Sequence, residues 1–256
     1  MTHASVGFIG SGRVTKIILN GWARANALPH HVLLFDPNRA ASEALTGIGA
    51  GIEVCDDASE SAAQDVVFLA VHPPVFSEAL SSIASSLRAN AILVSLAPKF
   101  TIAKIAGMLN GFQRVARVIP NAPSIVGHGY NPVSFGPALS RDDLECIRGL
   151  FASLGISPEV DEHNLEAYAI LAAMGPTYFW PQLAELIVLG ETFGLSRDAT
   201  QIAIDRMVEG ALATMNKSGL DPEGVMDLIP VKPMAEEVST LVSAYRVKLT
   251  GLMEKI

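Results

Sequence analysis

Gly10, Gly12 and Asp36 are the residues whose types and spacing point most directly to chemistry. Val6, Phe8 and Ile9 form a short apolar run of strand length, which Gly10 and Gly12 interrupt. Beyond them Val14, Ile17, Ile18, Gly21, Trp22 and Ala25 fall on one face of a helical period. The glycine pair therefore sits in a turn from strand to helix. There the unpaired N–H groups and the helix dipole favour an anion such as a pyrophosphate. Gly10 permits the tight turn and Gly12 the close approach of backbone to ligand. The position of a third fingerprint glycine holds Thr15. The run HVLLF, residues 31–35, reads as the next strand and ends at Asp36, whose carboxylate can accept both hydroxyls of an adenosine ribose. The competing reading makes Asp36, before Pro37, a turn residue. Asp36 would repel a 2′-phosphate and Arg39 could accept one, and the reading leans to NADH within NAD(P)H.

The elements that must position these residues alternate. A short helix from Arg39 to Leu45 leads to a strand over Ile52 to Cys55, and DDASESAA suits a helix start. Asp65 to Val71 is a nearly continuous apolar run, as expected of a strand covered on both faces. His72-Pro73-Pro74 stops it, a helix follows from Val75 to Leu87, and Ala91 to Leu96 reads as a strand. Such alternation implies βαβ units: an α/β, Rossmann-type, mostly parallel sheet. A hairpin-like stretch spans Val115 to Phe135, and SRDD at residues 140–143 reads as a capping box opening a helix to Leu154. From Asp161 the pattern is helical: Glu162 to Met174, Thr177 to Phe193, Arg197 to Lys217, and a last helix ending at Ile256. This divides the chain into a dinucleotide-binding domain, 1–160, and a helical substrate and dimerisation domain, 161–256. The later helices carry apolar residues on more than one face, which calls for a partner subunit, most simply a homodimer.

Composition bounds the partners. Half of the 256 residues are hydrophobic and 17% are charged, which fits a well-packed globular chain. A net charge of −8 disfavours nucleic acid and anionic membranes. The start, MTHAS, lacks the regions of a secretory leader, and Pro181 and Glu185 interrupt the most hydrophobic later stretch. Cys55 and Cys146 lack metal-ligand spacing, so two thiols in a reducing cytoplasm and no metal are expected.

Several motifs together resemble the pyrroline-5-carboxylate reductase family. They are GFIGSGRV at residues 7–14, FLAVHPP at 68–74, RVIPNAPSIVGHG at 117–129 and MGPTYF at 174–179. The resemblance implies a cytoplasmic homo-oligomer with a Rossmann domain for NAD(P)H and a helical dimerisation domain, reducing the C=N bond of a five-membered cyclic imine to proline. It also implies that Gly10, Ser11, Gly12, Arg13 and Val14 line the pyrophosphate, Asp57 the ribose, and Ala70, Val71, His72 and Pro73 the nicotinamide side. Asn121, Met174, Gly175, Glu236 and Glu237 then fall around the reacting centre. The chain departs from the family where hydroxyl residues would be expected. Ala172, Ala173 and Met174 precede Gly175-Pro176, and Glu236 and Glu237 follow Pro233-Met234-Ala235 where threonines would grip a substrate carboxylate. Two acids there would repel such a carboxylate, with Lys232 offsetting part of the repulsion, or merely complement a helix dipole.

Imine reduction asks little acid–base apparatus of a protein, because a protonated iminium carbon is already electrophilic. The leading expectation is a reductase of small cyclic imines, with an altered substrate left open. Two rivals stand beside it: a catalytically silent dinucleotide-binding paralogue acting as sensor or partner protein, and a small hydroxyacid dehydrogenase. The latter needs a general base, for which His72 is the candidate near the cofactor, although a strand-end residue bonded to backbone explains it as well. Arg117 reads as a structural tie more readily than a ligand contact, and Tyr178, Phe179 and Trp180 as core or interface.

Overall fold

The computed structural model describes residues 4–256, so part of the MTHAS start, on which the leader expectation rests, lies outside the described residues. The chain divides into two compact units, one ending at Met174 and one spanning Gly175–Lys255.

The first unit is built on a seven-stranded sheet. Its strands are β1 (Val6–Ile9), β2 (Val32–Phe35), β3 (Ile52–Val54), β4 (Val66–Leu69), β5 (Ile92–Ser95), β6 (Val115–Val118) and, after a two-residue β7 (Gly129–Tyr130), β8 (Val133–Phe135). The order is β3-β2-β1-β4-β5-β6-β8, parallel except for the antiparallel pairing of β6 with β8. This is the doubly wound arrangement whose switch point lies between β1 and β4. β7 pairs with β9 (Gly155–Ile156) in a separate two-stranded patch. Helices α1 (Arg13–Arg24), α2 (Arg39–Thr46), α3 (Ala58–Ala62), α4 (Phe76–Ile83), α5 (Ile102–Met108) and α6 (Arg141–Phe151) accompany the sheet. α5 is an element that the sequence reading passed over; Thr101 caps it through Lys104 N–H.

Strand alternation sends side chains to two cores. Val6, Phe8, Val66 and Phe68 point to the face covered by Ile18, Trp22 and Phe151. Ile9, Val67 and Leu69 point to the other, against Phe76, Leu80 and Ile105. Each fully buried side chain of this size contributes about 1.5–3 kcal/mol. Phe8 and Phe68 stack at 4.7 Å, and the Trp22 indole N–H donates to Leu150 O at 2.6 Å, fastening α1 to α6. All four residues of β4 are buried, which accounts for the unbroken apolar run in the sequence. The capping box of α6 is present as read: Ser140 Oγ accepts from Asp143 N–H while Asp143 accepts from Ser140 N–H.

The first compact unit runs on to Met174, past residue 160. Leu165 and Ala169 are buried against Ile119, just after β6, so the first helical stretch packs with the sheet. That stretch comprises a 3-10 turn (Glu162–Asn164), α7 (Leu165–Tyr168) and a π turn (Ala169–Ala173), where Met174 N–H donates to Ala169 O at 2.9 Å. The second unit holds α8 (Pro176–Thr192), α9 (Arg197–Lys217), α10 (Pro222–Asp227) and α11 (Val238–Met253). Few of its side chains are buried; Phe193, Ile202 and Val247 are more than 60% exposed. Among the described residues no helix is long and apolar enough to cross a membrane.

Candidate active site

A cavity of about 850 Å³ opens at the carboxyl ends of the parallel strands, and every residue lining it belongs to the first unit. Open doubly wound sheets bind ligands at this end. One wall is the turn after β1. Gly10 has φ +103°, and a Cβ there would stand 2.6 Å from Ala70 O, so glycine alone fits. Gly12, by contrast, would direct a Cβ into space holding no protein atom within 4 Å. As N-cap of α1 it offers no side chain, which leaves first-turn N–H groups to a ligand or water. This cradle fits a dinucleotide diphosphate. Thr15 takes over the tying role near the missing third glycine: it is fully buried and its hydroxyl donates to Gly10 O at 2.7 Å.

Asp36 stands at the end of β2 and lines the same cavity. Its Oδ2 accepts from Ser11 N–H at 2.8 Å and its Oδ1 from Asn38 N–H at 2.9 Å. Each oxygen keeps a lone pair for a ribose hydroxyl. Ser11 itself is buried, hydrogen-bonded to Ser42 at 2.8 Å, and supports the turn from beneath without lining the cavity. Asp56 and Asp57, after β3, complete this end. Asp57 caps α3 by accepting from Ser59 N–H at 2.8 Å, which holds its carboxyl below the usual range. Arg13, Val14, Ala70, Val71, His72 and Pro73 also line the cavity. His72 is exposed and its side chain makes no capping hydrogen bond in the turn it begins.

The far wall is apolar: Leu96, Ala97, Ile119, Ala169, Ala173 and Met174. Met174 therefore shares the cavity with the glycine turn. Asn121 does not line it. Its Oδ1 accepts from Tyr130 N–H at 3.0 Å and its Nδ2 donates to Ala172 O at 3.3 Å, so its carboxamide pins the π turn. Gly175, Glu236 and Glu237 belong to the second unit and line no part of the cavity; both glutamates are exposed where α11 begins. Lys232 lies 3.8 Å from Asp227. Arg117 is wholly buried and ion-paired to Glu162 and Glu166, the structural tie expected of it.

The sequence reading missed Asp56, Glu78, Ser82, Leu96, Ala97, Ile119 and Ala169 as lining residues. Most of them follow the carboxyl end of a strand, and the rule that ligands bind there would have found Leu96, Ala97 and Ile119. Among the described residues no cluster of histidine, cysteine, aspartate or glutamate could hold a metal ion.

Fold and site together define a dinucleotide-binding domain of the oxidoreductase type. A family model described as "NADP oxidoreductase coenzyme F420-dependent" matches residues 5–99. Over most of its length the chain is similar to the pyrroline-5-carboxylate reductases, as its motifs led one to expect. It is 27% identical to that enzyme of Corynebacterium melassecola over 221 residues, 85% of this chain and 82% of the relative. With the Arabidopsis thaliana enzyme it shares 28% over 230 residues, 87% and 80% of the two chains. The fold matches a Plasmodium falciparum pyrroline carboxylate reductase solved with NADP bound, with a TM-score of 0.78, 22% identity, and coverage of 100% of this chain and 96% of that one.

Proposed function

We propose that this chain is an NAD(P)H-dependent reductase of the pyrroline-5-carboxylate reductase type, delivering hydride to the C=N bond of a small cyclic imine. The observation that carries the reading is one cavity joining the Gly10–Gly12 turn to the apolar wall ending at Met174. Sequence likeness to pyrroline-5-carboxylate reductases across most of the chain supports it. Bound at the glycine turn, a reduced nicotinamide dinucleotide supplies the hydride. The first-turn N–H groups of α1 and Arg13 would hold its diphosphate, and Asp36 would accept from the adenosine ribose. Ala70, Val71, Leu96, Ile119 and Ala169 would surround the reacting end with apolar atoms, which limits water there. Asn121 positions the wall that carries Ala173 and Met174 without touching substrate. No protein base is required, since the iminium carbon is electrophilic once protonated.

Asp36 and the neighbouring carboxylates favour NADH over NADPH. Ala173 and Met174 bring no hydroxyl to the cavity, so the substrate end selects by shape more than by hydrogen bonding. Exposed apolar side chains on α8, α9 and α11, among them Trp180, Ile202 and Leu241, support burial against a second copy in a homodimer. The setting would be cytoplasmic. The test is incubation of the purified protein with 1-pyrroline-5-carboxylate and either reduced cofactor. Proline formed in step with oxidised cofactor is expected; cofactor binding without turnover on this or any other cyclic imine would contradict the reading.

A further inference from the structure

The adenosine end of the cavity is built as an acidic surface around an arginine that is already occupied. Arg39, in the first turn of α2, has its Nε 2.7 Å from Glu43 Oε1, and its Nη1 is ion-paired to Asp56 Oδ1. The two partners come from different elements: Glu43 lies one helical turn along α2, and Asp56 lies in the loop after β3. Arg39 does not line the cavity, whereas Asp56 does. The side chains that do line it include the carboxylates of Asp36, Asp56, Asp57 and Glu78 but one arginine, Arg13, at the opening of α1. With Arg13 at the opening of α1 given to the diphosphate, the lining offers, among the described residues, no other lysine or arginine for a 2′-phosphate beside Asp36.

We propose that Asp56, with Glu43, holds Arg39 away from the ribose 2′ position, making the site select a dinucleotide with a free 2′-hydroxyl against one bearing a 2′-phosphate. The inference rests on the dinucleotide reading of the cavity and adds the residues that enforce the choice. A phosphate monoester carries a charge of about −1.5 to −2 at neutral pH. To bind, it must displace Asp56 from Arg39 and then sit among Asp36 and Asp57. Each exposed ion pair on Arg39 is weak alone, worth on the order of 0–1 kcal/mol, so together they bias Arg39 toward Glu43 and Asp56 and supply the smaller part of the selection. The exclusion comes from the surplus of carboxylates, and Asp56 acts twice, once as a charge on the wall and once as the partner that occupies Arg39.

The experiment is equilibrium titration of the full-length protein with NADH and with NADPH, by nicotinamide fluorescence or calorimetry, at low and at physiological salt. NADH should bind at least about tenfold more tightly, and the gap should narrow as salt screens the carboxylates. In Asp56→Asn the ratio of the two dissociation constants should close by about three- to tenfold, one charge removed and one arginine released. Adding Arg39→Ala to that variant should remove the share of the gain that the released arginine supplies and leave the smaller share due to the lost wall charge. Glu43→Gln, which leaves the cavity lining untouched, should move the ratio in the same direction by a smaller factor. Equal or tighter NADPH binding by the native protein, or an unchanged ratio in a folded Asp56→Asn that still binds NADH, overturns the inference while leaving the dinucleotide site standing. Failure of the native protein to bind either dinucleotide overturns the reading of the cavity itself.

Discussion

Arg117 Nη2 donates to Glu166 Oε1 across 2.6 Å, linking the centre of β6 to the helix that runs into the π turn. Glu162 holds the other end of the guanidinium at 3.1 Å, and both glutamates also accept backbone N–H groups, from Ile102 and Lys99. The pair thus fixes the segment that places Ala169, Ala173 and Met174 on the cavity wall. Breaking one side of a buried ion pair strands the remaining charge, at a cost of about 3–5 kcal/mol. With Glu162 retained, Glu166→Gln should lower the unfolding free energy by about 3 kcal/mol, the lower end of that range. The midpoint of urea unfolding reads this out.

The same residue sets an acid limit. Burial works against the Glu166 carboxylate, but the hydrogen bond and charge of Arg117, with Lys99 N–H, outweigh it and hold the carboxyl below its usual value. A depressed folded value contributes stability that is complete above the ordinary glutamate value of about 4.3 and is lost as the pH falls through the folded one. Native protein should therefore lose stability faster than Glu166→Gln as the pH drops below about 4. Unfolding curves measured in parallel across that range should converge for the two proteins.

Asn121 acts through the wall it holds. Asn121→Ala would leave the part-buried Tyr130 N–H and Ala172 O without their partner, a loss of about 0.5–1.5 kcal/mol per hydrogen bond. The expected signature is a rise in KM for the imine of more than about fivefold with little change in the dissociation constant of NADH, the separation a wall displaced from the substrate end would give. Asn121→Asp keeps the acceptor for Tyr130 N–H and should recover part of the loss. Equal weakening of NADH binding would place Asn121 at the cofactor instead.

The two glycines of the turn should respond in opposite ways. Gly10→Ala meets a left-handed φ and the Ala70 carbonyl at 2.6 Å, so it should destabilise by at least the 1–2 kcal/mol that the backbone conformation alone costs, about that order before the clash is added. Gly12→Ala meets nothing within 4 Å and should leave the thermal midpoint nearly unchanged. Thermal unfolding of both variants compares them directly.

How much of this was legible in the sequence depended on whether local pattern or distant contact decided each feature. β4 announced itself, because burial on both faces demands apolar residues throughout. So did the α6 capping box, whose two partners lie three residues apart. The π turn did not. Residues 162–174 carry an ordinary helical period, and its distinguishing tie, Asn121 to Ala172, spans 51 residues of sequence. The reach of the first unit to Met174 is hidden for a related reason, since Leu165 and Ala169 are held by Ile119. Asp56 went unremarked because its meaning lies in its pairing with Arg39, from a neighbouring strand's loop. Asp36, by contrast, directly follows its own strand, so its place at the cavity is legible from position alone.

The most direct test is NADH titration of the native protein beside Gly12→Trp. A Cβ at Gly12 meets no protein atom within 4 Å and starts into the cavity, so an indole there would crowd the diphosphate cradle, with thermal unfolding as the check that the fold is kept. Saturable NADH binding by the native protein and its loss in a variant with unchanged thermal unfolding is the expected result. Undiminished binding in that variant, or none in the native protein, would contradict the placing of a dinucleotide at this turn.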